Sequence, residues 1–260
     1  MSTDTTPTRV ITIGIGGATC SGKTNLAKHL QNCLHNSFII HQDDFLPPTE
    51  MLPVDPDFGF PHCDDAPSAI DWDRMTSFLS DVKRTGFLPS NHQSYANLLE
   101  SPEVVPIDDH KLIPEWKTQS KNLALQHLEK YGEKLVWVLV DGFLLYWDER
   151  LVSSLDVRFF LRVPEDLARA RREARVYHTP EGYIWHDPPQ YWERAAWPGY
   201  IQAHKHMFED GDVTNGQLSG KVEELVLIES TEVVMTDMVK RVMEKVLNVS
   251  AGVGSKRCMN

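Results

Sequence analysis

The residues best suited to chemistry lie in a glycine-rich stretch near the N-terminus. Positions 17 to 24 read Gly-Ala-Thr-Cys-Ser-Gly-Lys-Thr and fit the pattern G-x-x-x-x-G-K-[ST]. Glycines let such a loop turn tightly, so that successive N–H groups point at phosphate oxygens, and the following helix N-terminus adds partial positive charge. Lys23 can then reach the outer phosphates, and the Thr24 hydroxyl can ligate Mg²⁺. The candidate ATP contacts of this loop are Gly17, Ala18, Thr19, Cys20, Ser21, Gly22, Lys23, Thr24 and Asn25.

The loop alone does not say what is done with the nucleotide, nor whether it is ATP or GTP. A GTPase switch needs a guanine-reading Asn-Lys-x-Asp sequence, which this chain lacks. A motor or transporter ATPase needs a much longer chain. A small phosphotransferase and a nucleotide-gated binding protein therefore remain as the two classes.

Carboxylates follow two of the predicted strands. Asp43 and Asp44 come after the run 37–41, and Asp141 comes after the run 135–140. Phosphoryl transfer to a hydroxyl needs a carboxylate that accepts the proton and a Mg²⁺ that bridges two phosphates. Open α/β sheets bind ligands at the carboxyl ends of their strands, so both groups are well placed. Turn capping is the alternative for the first pair, whereas a carboxylate ending an apolar strand is costly unless it binds something.

Four arginines lie within seven residues of one predicted helix. Pro164 and the acidic residues after it are typical of a helix start. Arg171 and Arg175 share a face, while Arg172 points about 100° away. One helix can thus offer cations to the ATP phosphates and to the acceptor. The alternative is a solvated helix with Glu165–Arg169 pairs worth only tenths of a kcal/mol, but so many arginines on an acidic chain favour a lid.

The elements that must position these residues are predicted by apolar periodicity. Short apolar runs without alternation predict strands at 10–15, 37–41, 135–140, 157–163 and 225–228. Helical spacing predicts helices at about 23–34, from Trp72 to a stop at Gly86, and along the stripe from Met235 to Val246. Strands of this kind, separated by helices, indicate a parallel sheet of about five strands covered on both faces. The predicted class is α/β.

One domain over 1–249 accounts for this pattern. Residues 87–119 contain four prolines and are too long for an ordinary connection, so we predict an insertion there. The lid is predicted at about 164–190, and the tail 250–260 is expected to be flexible.

Composition limits the class of protein. The 260 residues carry a formal net charge of −11, which argues against non-specific binding of nucleic acid or of a membrane surface. The four cysteines are widely spaced, and the N-terminus lacks a secretory pattern. We therefore expect a cytoplasmic protein, with nuclear access left open, that acts as a monomer or weak homodimer on a small molecule.

The chain resembles the nicotinamide riboside kinase family, within the uridine-kinase-like P-loop nucleoside kinases. The resemblance lies in five stretches, namely Gly14 through Lys28, Gln42-Asp43-Asp44-Phe45, Asp141-Gly142-Phe143-Leu144-Leu145, Arg171 through Tyr177, and Trp197-Pro198. It implies the P-loop kinase fold with a helical lid, ATP and Mg²⁺ as cofactors, and phosphorylation of the ribose 5′-hydroxyl of nicotinamide riboside, with nicotinic acid riboside as a second substrate. The product would be the mononucleotide used for NAD synthesis.

The resemblance also implies roles for individual residues. Asp43 would be the base, Lys23 and Asp141 would complete the catalytic set, and Mg²⁺ would lie near Thr24 and Asp43. Arg171 would contact ATP together with Arg175, and Tyr177 would stack on the nicotinamide ring, which is favourable for a cationic ring. The implied acceptor-site residues are Asp43, Asp44, Phe45, Leu46, Asp64, Asp65, Arg172, Tyr177 and His178.

The chain departs from the family pattern at two of these positions. Asp141 stands where the family usually has glutamate, so a shorter carboxylate would reach the metal through water. Asp64 stands where the family has an aromatic residue, and Phe58, Phe60 or Trp72 is the candidate replacement. For Tyr177, packing within the lid is an equal alternative to stacking.

Two other functions remain as alternatives. A uridine or cytidine kinase, or another small-metabolite kinase, would share the scaffold and phosphate loop. An ATP-gated regulatory protein would bind ATP without transferring its phosphate, although the intact set of Lys23, Thr24 and Asp43 speaks against it.

Overall fold

A five-stranded parallel sheet forms the centre of the molecule. The computed structural model describes residues 6–57, 59–94, 104–175, 177–178 and 184–252. Within them the strands are β1 (Thr8–Gly17), β2 (Ser37–His41), β3 (Lys134–Gly142), β4 (Val157–Arg162), β5 (Tyr177–His178), β6 (Ile184–Trp185) and β7 (Leu225–Glu229). The order in the main sheet is β2-β3-β1-β4-β7, and every neighbouring pair is parallel. The predicted α/β class and five-stranded parallel sheet are confirmed.

The central strand, β1, leads directly into the glycine-rich loop. It pairs with β3 from Thr8 to Gly16 and with β4 from Ile13 to Gly17, so both of its edges are occupied. The short strands β5 and β6 form a separate antiparallel pair.

Helices cover both faces of the main sheet. They are α1 (Lys23–Cys33), α2 (Ala66–Ala69), α3 (Trp72–Thr85), α4 (Leu112–Tyr131), α5 (Glu149–Ser153), α6 (Glu165–Glu173), α7 (Trp197–His204) and α8 (Met235–Gly252). Ile13 and Ile15 of β1 share one apolar cluster with α1, α4 and α8, whereas Val138 and Val140 of β3 belong to the cluster that contains α3 and α7. None of the described helices is both long and apolar enough to cross a membrane.

The structure corrects three boundaries. Helix α4 begins at Leu112, so the predicted insertion 87–119 is wrong over its last eight residues. Pro114 lies in the first turn of α4, where a missing N–H costs nothing. Helix α6 ends at Glu173, so Arg175 lies beyond the helix and does not share a helical face with Arg171.

The third correction concerns the C-terminal tail, which was expected to be flexible from residue 250. Helix α8 continues to Gly252, and Ser250 is 1% exposed. The indole N–H of Trp137 donates to the Ser250 hydroxyl at 2.9 Å, which fixes this last turn against β3. Residues 253–260 lie outside the described residues.

Candidate active site

The glycine-rich loop joins β1 to α1, as its pattern predicts. Gly17 has φ of 141°, and a Cβ there would collide with the carbonyl oxygen of Leu161, so this position requires glycine. Gly22 has φ of 98° and directly precedes the first turn of α1. The Ser21 N–H donates to the Ala18 carbonyl at 3.2 Å and closes the loop. A tight loop at a helix N-terminus is the geometry that binds phosphate.

Lys23 lies within this loop and is 8% exposed. Its Nζ donates to the Ala18 carbonyl at 2.7 Å. Burial lowers the pKa of Lys23, although the nearby charges of Asp141 and Asp43 act in the opposite direction. Phosphate oxygens would add negative charge beside the ammonium and would favour its charged form.

Asp141 lies near the C-terminal end of β3, beside the start of α1. Its Oδ2 accepts a hydrogen bond from the Thr24 hydroxyl at 2.7 Å and lies 3.3 Å from His41 Nδ1. Burial alone would raise the pKa of Asp141, but the His41 contact and the charge of Lys23 outweigh burial, so the pKa is lowered. Asp141 is therefore held as a carboxylate, and its shorter side chain still contacts Thr24 directly.

His41 is a residue that the sequence did not single out. It is the register partner of Asp141 across β2 and β3 and is 7% exposed. Burial lowers its pKa, but the hydrogen bond and charge of Asp141 outweigh this, so the pKa of His41 is raised. His41 and Asp141 become neighbours only through the register between β2 and β3. That register cannot be predicted from the residues of either strand alone.

Asp43 lies on a 3₁₀ turn, Gln42–Phe45, which directly follows β2. Asp43 is exposed to solvent, and its carboxylate interacts electrostatically with Asp141 and Lys23. The pKa of Asp43 is raised, first because the surrounding protein limits its hydration and second because Asp141 is also negative. Gln42 anchors the turn, because its Oε1 accepts the Leu144 N–H at 2.8 Å. Gly142 is needed here because the Gln42 side chain would lie 2.6 Å from a Cβ.

A narrow cavity lined by aromatic side chains, with an accessible volume of only about 10 Å³, lies beside the phosphate loop. The rings of Trp192 and Trp197 are stacked at 5.5 Å between centroids, and Tyr200 lies 4.9 Å from Trp197. The other lining residues include Ala18, Thr19, Asp64 and Phe143. The cavity as observed has no room for a ring, so a planar ligand would enter only if Trp192 and Trp197 moved apart.

Two of the candidate replacements for an aromatic at position 64, Phe60 and Trp72, are not among the described residues that line this cavity. Phe60 is buried against Tyr191, at 5.1 Å between ring centroids, and the Trp72 indole donates to the Ala66 carbonyl. Phe58 lies outside the described residues. The aromatic side chains of Trp192, Trp197 and Tyr200 line the cavity instead. Of these, only Trp197 belongs to the stretches that carry the family resemblance.

Asp64 and Arg172 form a buried charged group at the edge of the cavity. Asp64 is 7% exposed, accepts a 2.9 Å hydrogen bond from the Tyr191 hydroxyl, and lies 3.6 Å from Arg172. Arg172 also donates to Asp187 from Nε at 2.6 Å and from Nη2 at 3.1 Å. Two carboxylates thus surround one guanidinium. Asp65 precedes α2 and accepts from the Ser68 hydroxyl at 2.6 Å.

The two remaining arginines lie on the phosphate-loop side. Arg171 is exposed and donates from Nη1 to the Cys20 carbonyl at 3.1 Å, so α6 contacts the phosphate loop. The charge of Arg175 acts on Lys23 and Asp43, which places it near the same cleft.

Some predicted acceptor residues lie elsewhere. The Asp44 carboxylate contacts His92 and Ser94, and Phe45 packs on Phe78 at 5.3 Å between centroids. Leu46 is half-buried against the apolar cluster that contains α3. Tyr177 and His178 form β5, and their side chains lie outside the described part of the structure.

Relatives cover most of the chain. It is 32% identical to the nicotinamide riboside kinase of Schizosaccharomyces pombe over 241 residues, which are 92% of this chain and 97% of that protein. It is 31% identical to nicotinamide riboside kinase 2 of Mus musculus over 199 residues, which are 76% and 82% of the two chains. A crystal structure of an unliganded sugar kinase from Janibacter covers 95% of this chain and 98% of its own at 13% identity, with a TM-score of 0.42.

No family model matches the sequence. The Schizosaccharomyces pombe relative nevertheless aligns over nearly the full length of both proteins. On this similarity, the chain belongs to the nicotinamide riboside kinase family.

Proposed function

We propose that this protein transfers the γ-phosphoryl group of ATP to the ribose 5′-hydroxyl of nicotinamide riboside, giving the mononucleotide used for NAD synthesis. The observation that carries the proposal is the meeting of Lys23, Thr24, Asp141 and Asp43 in one cleft at the ends of β1, β2 and β3. An aromatic cavity with a buried carboxylate adjoins the same loop. The curated relatives carry the corresponding name.

The residues present fit a Mg²⁺ ion. Thr24, Asp43 and Asp141 supply hydroxyl and carboxylate oxygens, the ligands that Mg²⁺ prefers, and one or two carboxylates suffice where phosphates supply the rest. When bound, the ion neutralises charge that develops on the β- and γ-phosphates. We assign Thr24 and Asp43 to its direct coordination and Asp141 to orienting them.

The chain's own groups then divide the work of phosphoryl transfer. Asp43 accepts the proton of the ribose hydroxyl, and its raised pKa makes it a stronger base than an ordinary aspartate. Lys23 places an ammonium beside the transferred phosphoryl group. Arg171 closes α6 over the loop from its contact with the Cys20 carbonyl, which excludes water from the phosphates.

The cavity supports the acceptor assignment. Nicotinamide riboside carries a planar cationic pyridinium ring, and Trp192 and Trp197 would offer faces for it once this stacked pair separates. Nicotinic acid riboside has the same ring and is proposed as a second substrate. Uridine and cytidine are neutral and need paired hydrogen-bonding groups, so the observed walls favour them less.

One assay tests the assignment. ADP release is measured with ATP and Mg²⁺ against nicotinamide riboside, nicotinic acid riboside, uridine and cytidine, with the Lys23→Ala variant as an inactive control. We expect release with nicotinamide riboside and a product heavier by one phosphate. Release with uridine or cytidine alone would establish the alternative kinase. Stabilisation by an ATP analogue without release for any nucleoside would establish the regulatory alternative.

A further inference from the structure

The connection between α3 and α4 contacts the turn that carries Asp43. We call its first part, residues 87–94, the acceptor arm. His92 lies against Phe45 and Phe78, with ring centroids at 6.5 Å and 4.7 Å respectively. This places the arm against Phe45 of the 3₁₀ turn and Phe78 of α3.

Both carboxylate oxygens of Asp44 meet a residue of the acceptor arm. His92 Nε2 lies 3.4 Å from Oδ2, and the Ser94 hydroxyl donates to Oδ1 at 3.1 Å. The Asp44 side chain is 1% exposed and that of His92 is 14% exposed. A carboxylate buried to this extent is strongly destabilising without partners. The arm supplies the Ser94 hydrogen bond to Oδ1, and His92 Nε2 lies close to Oδ2 without forming a hydrogen bond to it.

The rest of the turn is held by backbone contacts on other sides. Arg74 Nη2 of α3 donates to the Asp44 carbonyl at 2.8 Å, and the Phe45 carbonyl accepts from the Asp71 N–H at 2.9 Å. Consecutive residues of a 3₁₀ turn point about 120° apart. Asp43 can therefore face the cleft only while Asp44 faces the acceptor arm.

We propose that the acceptor arm is a positioning element for catalysis, and that Asp44 acts by fixing the direction of Asp43 rather than by binding the nucleoside. The proposal rests on the proposed function in that it takes Asp43 as the base. If the turn rotated by the angle between two consecutive side chains, the Asp43 carboxylate would move out of the cleft. A displacement of about 1 Å at a reacting group can cost about 100-fold in rate.

The test is a double-mutant cycle of His92→Ala and Asp44→Asn. Each single variant is expected to lower kcat about 10- to 100-fold, with KM for the nucleoside and Kd for an ATP analogue within about twofold of wild type. The kcat of the double variant should be no lower than that of the slower single variant, because each substitution disrupts the same contact between His92 and Asp44. His92→Asn, which keeps a donor, should recover part of the loss. His110→Ala is the control, because His110 is exposed at the other end of the same connection.

Several outcomes would overturn the proposal. A raised KM with unchanged kcat in Asp44→Asn would make Asp44 a substrate-binding residue. Additive losses, or an equal loss of ATP binding in His92→Ala, would show a general structural effect. All variants are measured with whichever nucleoside the wild type phosphorylates, so an error in the acceptor assignment leaves this test intact. A wild type without any nucleoside-dependent ADP release would refute the proposed function itself.

Discussion

Replacing Asp43 with asparagine removes the proposed base and leaves the shape of the turn. A positioned general base contributes about 10²- to 10⁴-fold, which at 1.36 kcal/mol per tenfold is about 2.7 to 5.4 kcal/mol of the barrier. Lys23, Thr24 and Asp141 remain in Asp43→Asn, so the loss should fall inside this range. ATP binding should persist, because the contacts of the phosphate loop do not involve the Asp43 side chain.

The same substitution should not destabilise the protein. A carboxyl group whose pKa is higher in the folded state than in the unfolded state favours protonation on folding. The ionised form of Asp43 therefore destabilises the fold above its folded-state pKa, and this effect disappears as the pH falls below the unfolded-state pKa. At neutral pH, Asp43→Asn should leave Tm unchanged or raise it by a few degrees, since about 1 kcal/mol corresponds to roughly 2–4 °C in a protein of this size.

Three measurements check this reasoning. Steady-state ADP release gives kcat, titration with an ATP analogue gives Kd, and thermal unfolding gives Tm. A kcat within threefold of wild type, or a Tm several degrees lower, would refute the assignment of Asp43.

Three further variants test neighbouring parts of the site. Asp141→Asn should raise the Mg²⁺ concentration for half-maximal activity about 10- to 100-fold, and an unchanged Mg²⁺ titration would contradict its role. Arg171→Ala should raise KM for ATP about two- to fivefold, as expected for an exposed contact, with the nucleoside KM unchanged. Asp64→Asn should lower kcat/KM for nicotinamide riboside about tenfold, or ~1.4 kcal/mol, relative to nicotinic acid riboside. Asp187→Asn is the control for this variant, because Asp187 also pairs with Arg172 and is not among the cavity-lining residues. An equal loss of kcat/KM in Asp187→Asn would contradict a specific role for Asp64.

The five strands of the main sheet could be predicted, because each is a short apolar run bounded by polar or glycine residues. The two-residue strands β5 and β6 could not, because each is too short to form such a run. The end of α3 at Gly86 could also be predicted, since its φ of 77° favours glycine. The start of α4 could not, because Pro114 was taken as an interruption although it lies in the first turn. The end of α6 at Glu173 could not be predicted either, because no glycine or proline marks it before Arg175.

The phosphate loop could be predicted residue by residue, because its pattern is local. The His41 contact could not, since it depends on the register between β2 and β3. The partners of Arg172 come from 15 residues later and from Asp64, and no spacing rule relates them. The family resemblance implied that Asp44 binds the substrate. In the structure, its carboxylate instead contacts residues of the acceptor arm, which is distant in sequence.

The pairing of Arg172 with two carboxylates gives the cleft opposite polarity at its two ends. One positive and two negative charges leave an excess of one negative charge beside the aromatic cavity. The phosphate-loop end instead gathers Lys23, Arg171 and Arg175 against Asp43 and Asp141, which leaves an excess of one positive charge there. A polyanionic donor is therefore attracted to the phosphate-loop end and a cationic acceptor to the aromatic end. In the reversed orientation each ligand would be repelled by charge of its own sign. This difference in electrostatic potential orients the two ligands before either makes a specific contact. It should weaken as added salt screens the charges.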